Sequence, residues 1–229
     1  MDNLLLVGMN LHIVIQPELI FSLVIIASIC AFCIYAGKKV QEADPSKKPT
    51  GVVLVCETGV KMIQDYMISI MPNQKFVKNY YPYFAIMAVY LVISNLSGLI
   101  AFDAPTSNFS ITFSITLITF ALIQWNAFKT KGGFTYIKDL IWPPTNLLGA
   151  VSPLISLSMR MFGNILSGSI LMGLVYSFTG WLSSLLIPFN FLGPIVAPIL
   201  HAYFDVFAGC IQTLVFITLS SILIAIEAE

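Results

Sequence analysis

The sequence predicts an all-α membrane protein: five membrane-crossing helices, the last two a long tilted hairpin, with an amphipathic helix on the cytoplasmic side. Three observations carry that reading. Of 229 residues, 58% are hydrophobic and 10% charged, with a mean hydropathy of +0.89, which is too little polar surface to coat a water-soluble globule of this size. Several apolar runs reach the roughly 20 residues that a helix needs to cross a hydrocarbon core about 30 Å thick. The lysines gather in alternate loops between those runs. Residues 1–229 are expected to form a single integral membrane domain. It divides into a first crossing (1–40), an amphipathic surface helix (51–72), outward and inward crossings (79–128) and a long hairpin (145–229).

The formal net charge is +0 and the pI about 6.7, so no nucleic-acid partner is expected; the partners belong in the membrane. The start, Met1-Asp2-Asn3, lacks a basic n-region, and lysines rather than a cleavage site follow the first apolar run, so the start is expected to belong to the mature structure. Cys30 and Cys33 have C-x-x-C spacing but lie in an uninterrupted apolar helix beside no other candidate ligand. They read as small packing residues, as do Cys56 and Cys210.

The first crossing is the run Leu19 to Gly37, closed by Lys38 and Lys39 and a polar segment, Gln41 to Thr50. Lys38, Lys39, Lys47 and Lys48 mark that side as cytoplasmic, which puts the N-terminus outside. From Gly51 to Met71 the charges recur at helical spacing: Glu57, Lys61 and Asp65 lie four apart, with Gln64 beside them. Val52, Val55, Cys56, Val60, Ile63, Tyr66, Met67 and Ile70 fill the other face, describing a helix at the membrane surface or packed along the bundle. Pro72 ends it, and Lys75 and Lys78 keep the next loop cytoplasmic.

Pro82 to Ala101 crosses outward, a loop with Asp103, Pro105, Thr106, Ser107 and Asn108 turns the chain, and Phe109 to Phe128 crosses back. Thr112, Thr116 and Thr119 share a face there and can bond to backbone carbonyls or to other helices. Lys129, Lys131 and Lys138 fall on the cytoplasmic side, as the alternation demands. The stretch from Leu147 to about Trp181 is far longer than one perpendicular crossing, so it must tilt. A turn carrying Pro188, Asn190, Gly193, Pro194 and Pro198 separates it from Ile199 to Ile226, and Glu227 and Glu229 end inside.

Arg160, the chain's one arginine, sits mid-run, where insertion scales set a cost of roughly 2.5 to 3.5 kcal/mol. The polar interface is too far away on both sides for snorkelling to relieve it. Ser156, Asn164 and Ser167 share its helical face, and Gly163, Gly168 and Gly173 allow another helix to approach, so the stripe reads as a protein-facing ion site. On the last helix His201, Asp205 and Gln212 repeat at spacings of four and seven and so are expected to share one face. Asp205 is the candidate acid, and its position over that acid makes His201 a proton-relay candidate. Gln212 either lines the path or ties two helices by hydrogen bonds. There is no H-E-x-x-H, G-x-S-x-G or P-loop, and the only histidines are His12 and His201, so no catalytic centre, metal or cofactor is expected. A lone cation facing a carboxylate on a neighbouring helix is the pattern of an ion pathway. A self-contained secondary transporter shares that pattern but usually shows repeated halves, which are missing here; a membrane hydrolase lacks its nucleophile and metal sets.

The run Ser158-Met159-Arg160-Met161-Phe162-Gly163-Asn164 with Gly168, and Gln212 about fifty residues later, resembles subunit a of the bacterial-type rotary ATP synthase membrane sector over nearly the whole chain. The resemblance implies a non-catalytic stator in a bacterial plasma membrane, facing a rotor ring of c subunits and joined to peripheral-stalk b subunits and a peripheral ATPase sector. Arg160 matches the family's essential arginine, Asn164 the polar residue one turn along, and Gln212 the glutamine near the arginine. Ser169 and Asp205 match two positions lining the outer half-channel, one commonly acidic. Here the carboxylate is at Asp205, across the hairpin, and Asn108 stands where relatives often carry an acid.

Overall fold

A helix satisfies its own backbone hydrogen bonds, which is the condition for crossing lipid. The computed structural model describes residues 16–43, 48–71, 74–100, 104–133, 136, 138, 140, 143–185 and 192–226, and among them there are helices and no strands. Expectations for Met1–Asn3, His12, Lys47, Asp103, Pro188, Asn190, Glu227 and Glu229 lie outside the described residues.

The helices are α1 (Pro17–Glu42), α2 (Val52–Ile70), α3 (Gln74–Leu96), α4 (Phe109–Lys131), α5 (Pro144–Ser184) and α6 (Gly193–Ile226). All but α2 contain a stretch long and apolar enough to cross a membrane, giving the five spans the sequence predicts. A 3₁₀ turn, Ser97–Ile100, extends α3. At the start of α4 the Asn108 side chain accepts from the Ser110 N–H at 3.0 Å, and Gly132, at φ 78°, ends the helix in a conformation few side chains tolerate. α5 runs 41 residues, about 60 Å at 1.5 Å per residue, so it must lie steeply oblique to a core half as thick.

The last helix departs from the expected turn. Gly193, Pro194 and Pro198 belong to α6, not to the connection before it. A proline early in a helix gives up an N–H that has no intrahelical partner, so Pro194 costs nothing there. Pro198 does remove a donor, and the chain then passes through a π-helical segment, Ala202–Ala208, before the α-helix resumes at Gly209. Pro82 is likewise carried inside α3.

Hydrogen bonds between helices define the two ends of the bundle. At one end Asn108 pairs with Gln16, joining the α3–α4 turn to the start of α1. At the other, the Tyr80 hydroxyl donates to Asn126 Oδ1 at 3.1 Å and Asn126 Nδ2 to the Ile224 carbonyl at 3.3 Å. Gln124 Nε2 reaches the Ala150 carbonyl at 3.4 Å, so the start of α3, the end of α4, the start of α5 and the end of α6 come together. Lys129 and Lys131 close α4 at this same end. Between the two ends, Ser22 pairs with Tyr90 at 2.7 Å and Tyr83 with Thr119 at 2.6 Å. Thr116 and Thr119 also bond back to the carbonyls four residues earlier, at 2.8 and 3.0 Å.

α2 packs along the bundle rather than lying apart from it: Met67 is fully buried and the Tyr66 hydroxyl pairs with Thr218 of α6 at 2.5 Å. Its apolar residues do not all face inward. Cys56, Ile63, Tyr66 and Met67 turn toward the bundle, whereas Val55 and Val60 are exposed alongside Leu54 and Met62. The packed arc is narrower than the helical wheel of apolar residues suggests, because α2 meets its neighbours along one side only.

α6 meets α3 tightly at Gly209, where a Cβ would lie 2.8 Å from the Asn95 Cβ, and Asn95 Nδ2 donates to the Gly209 carbonyl at 3.0 Å. Gly209→Ala is expected to force α3 and α6 apart at a cost of about 1–3 kcal/mol. The check is thermal unfolding in lipid or detergent, which should show a Tm several degrees lower.

Candidate ion-translocation site

α5 buries one stripe of side chains, Leu154, Leu157, Ser158, Met161, Gly168 and Met172, against the bundle. Arg160 is off that stripe. It is exposed on the surface of the chain, as are Ser156 and Ser167, with Asn164 half-buried between that face and the interior. No acid or hydrogen-bond acceptor among the described residues pairs with Arg160. The polar face predicted from sequence therefore exists, but it looks off the chain rather than across to α6. The expectation of a cation facing a carboxylate on the neighbouring helix is not met within the chain, because Asp205 is engaged elsewhere.

Asp205 Oδ2 lies 2.7 Å from His201 Nδ1, one turn earlier on α6, and His201 Nε2 lies 3.0 Å from the Tyr176 hydroxyl on α5. The carboxylate also sits against the end of α3: a Cβ on Gly98 would fall 3.3 Å from its Cγ. This acid borders a cavity of about 300 Å³. The walls come from three directions: Asn95, Gly98, Ala104 and Ser107 near the α3–α4 turn, Asn164, Gly168 and Ser169 on α5, and His201, Asp205 and Gly209 on α6. Small residues open the space, and the polar ones make it a place where water is stable.

Four of the six sequence-predicted residues, Asn164, Ser169, His201 and Asp205, thus meet around one cavity. Arg160 and Gln212 do not line it. Their relation is one of depth. Gly168 lies against Phe204, and a Cβ there would sit 3.6 Å from the Phe204 ring. Arg160 precedes Gly168 by eight residues and Gln212 follows Phe204 by eight, so on antiparallel helices the two stand level, about 12 Å along the hairpin from that contact. Gln212 is buried while Asp205 is half-buried on the cavity wall. Gln212 lies further along α6 than the cavity walls reach, beyond the π-helical segment.

The sequence reading missed Asn95, Gly98, Ser107 and Tyr176. A polar residue in the apolar run Ile93-Ser94-Asn95-Leu96 was a usable signal. Tyr176, 25 residues from its partner, left none.

The chain is similar to known proteins over most of its length. The family described as ATP synthase A chain matches residues 19–225. Its relatives include the ATP synthase subunit a of Mycoplasma genitalium, 31% identical over 86% of this chain and 74% of that one. That of Mycoplasma pneumoniae is 34% identical over 80% and 69%. A further relative, from Propionigenium modestum, is an ATP synthase subunit a described as sodium ion specific, 30% identical over 73% of this chain and 60% of its own.

The chain belongs to the ATP synthase subunit a family. As a member it is a multi-pass subunit of the membrane sector of a bacterial ATP synthase, serving ion transport and ATP synthesis in complex with the other synthase subunits.

The cavity beside Asp205 lends itself to a direct probe. In a chain whose four native cysteines are replaced, Ser169→Cys is expected to react with a water-soluble thiol reagent, and adding Gly98→Leu, which pushes into the space beside Asp205, is expected to slow that labelling several-fold. Labelling rates measured in membrane vesicles check both.

Proposed function

We propose that this chain is the stationary proton-channel subunit of the synthase, presenting Arg160 to the carboxylates of a rotor ring of c subunits between two offset half-channels. The carrying observation is the exposure of Arg160: a permanent charge in a membrane-spanning helix, turned off the chain, with no acid paired to it among the described residues. A charge so placed needs a counter-charge from a partner. A guanidinium remains protonated throughout, so a carboxylate brought opposite it is held ionised, while carboxylates elsewhere on the ring travel through lipid neutral.

The cavity at Asp205 is the outer half-channel in this reading. It lies near the α3–α4 turn, at the end of the bundle opposite Lys129 and Lys131, and the positive-inside rule makes that end the outer one, with the N-terminus outside and the C-terminus cytoplasmic. Asn164, lining the cavity one turn from Arg160, joins the two, and Gln212, level with the arginine, steadies the inner end. A ring carboxylate gives its proton to the cytoplasmic side, passes Arg160, and is reprotonated by way of Asp205 and His201 before it re-enters lipid. Ions therefore cannot cross without ring rotation, and each charge moved through the field gains about 2.3 kcal/mol per 100 mV. The chain itself performs no bond chemistry; peripheral-stalk b subunits hold it still and the peripheral ATPase sector makes or hydrolyses ATP.

Arg160→Lys is expected to abolish ATP-driven proton pumping in inverted vesicles although the charge is kept, because an ammonium is more strongly hydrated and sheds its proton more readily. Pumping at the normal rate sinks the proposal. Asp205→Asn is expected to slow pumping about tenfold or more while the complex still assembles. Unchanged flux with Asn at this position removes the acid from the path.

A further inference from the structure

Tyr176 belongs to none of the roles above, yet it ends a line of three hydrogen-bonded side chains. Its hydroxyl meets His201 Nε2 at 3.0 Å, and His201 Nδ1 meets Asp205 Oδ2 at 2.7 Å. Burial rises along the line: Tyr176 is 43% exposed, the His201 side chain 35% and that of Asp205 23%. The tyrosine comes from α5 and the other two from α6, so the line spans the hairpin.

The chemistry of the ring decides what Tyr176 does. A carboxylate only accepts, so the nitrogen facing ionised Asp205 must carry a proton. The opposite nitrogen then accepts when the ring is neutral and donates when it is an imidazolium. A phenol hydroxyl serves either state, because it both donates and accepts. A partner that could only donate or only accept would release the ring in one of the two. The remaining described polar walls of the cavity, Asn95, Ser107, Asn164 and Ser169, do not titrate, so His201 and Asp205 are its titrating pair among the described residues.

We infer that Tyr176 is a positioning residue: it holds the His201 ring with Nδ1–H aimed at Asp205 in both charge states of the imidazole, and so keeps the cavity's carboxylate oriented for proton exchange. The inference rests on the reading of this cavity as the proton path. Without the hydroxyl the ring is free to rotate and to change tautomer, and the Asp205 contact becomes intermittent.

The test pairs a spectroscopic readout with flux. The full chain holds two histidines, so with His12→Asn the ¹⁵N ring resonances in lipid report His201 alone. The expected result is a single Nδ1–H tautomer at neutral and alkaline pH. Tyr176→Phe is expected to give a mixture of tautomers and to lower ATP-driven proton flux about threefold to tenfold in the assembled complex, the worth of one hydrogen bond. Tyr176→Gln, whose amide can donate to or accept from Nε2, is expected to restore most of both, and it carries the test alone if the Phe variant does not assemble. An unchanged tautomer in Tyr176→Phe, or full flux with a mixed tautomer, overturns the inference. Normal flux in Arg160→Lys overturns the underlying channel reading instead, whatever the histidine shows.

Discussion

Everything about the hairpin turns on one charge that no described residue of the chain neutralises. A guanidinium in a spanning helix has three ways to lower its cost: an internal acid, a route to the headgroups, or a partner. The described residues offer no internal acid, since the one carboxylate near the site is bonded to His201. Arg160 follows the start of α5 by sixteen residues and precedes its end by twenty-four, so the cation sits within the span rather than at its edge. In the proposed function a partner is what lowers the cost, and the exposure of Ser156, Arg160 and Ser167 leaves that face open to one.

In the proposed function the length and obliquity of α5 serve the same need. A helix that crossed upright would present one or two turns to a neighbour moving past at mid-membrane. One that lies across the bilayer presents many, with the cavity toward one end and the arginine further along. The cavity and the cation are separated along the helix axis while Asn164 touches both regions. That separation allows water to approach the site without a continuous aqueous pore. It is held by close packing at the cavity walls, Gly168 against Phe204 and Gly209 against Asn95, and at Gly209 an added Cβ forces its neighbour to shift.

The crossings were legible because lipid imposes a single rule, that apolar runs of sufficient length become helices, and Leu19 to Gly37 or Phe109 to Phe128 obey it without competition from other forces. Arg160 was legible for the converse reason, as the residue that breaks the rule most expensively. Facing was less so. The π-helical segment at Ala202–Ala208 interrupts α6 between His201 and Gly209, and no local composition announces it beyond the preceding Pro198. The same holds for Pro194, which reads as a turn residue from sequence and serves as a helix start. Tyr176 and Gly98 owe their places to tertiary contacts with α6, and those are set by packing that a single sequence does not display.

The position of the carboxylate shows why such a site tolerates rearrangement. Ser169 and Asp205 come from opposite arms of the hairpin but line the same cavity. Water in that space makes no distinction as to which helix supplies the acid; what matters is that a carboxylate reaches the cavity and that a neighbour can hold it oriented. On α6 that neighbour is His201, four residues away and in hydrogen-bond contact across one turn, and it is in turn tied to the other arm through Tyr176. The acid and its histidine thus form one unit on one helix, whereas Arg160 stands apart, exposed and without an acid beside it among the described residues.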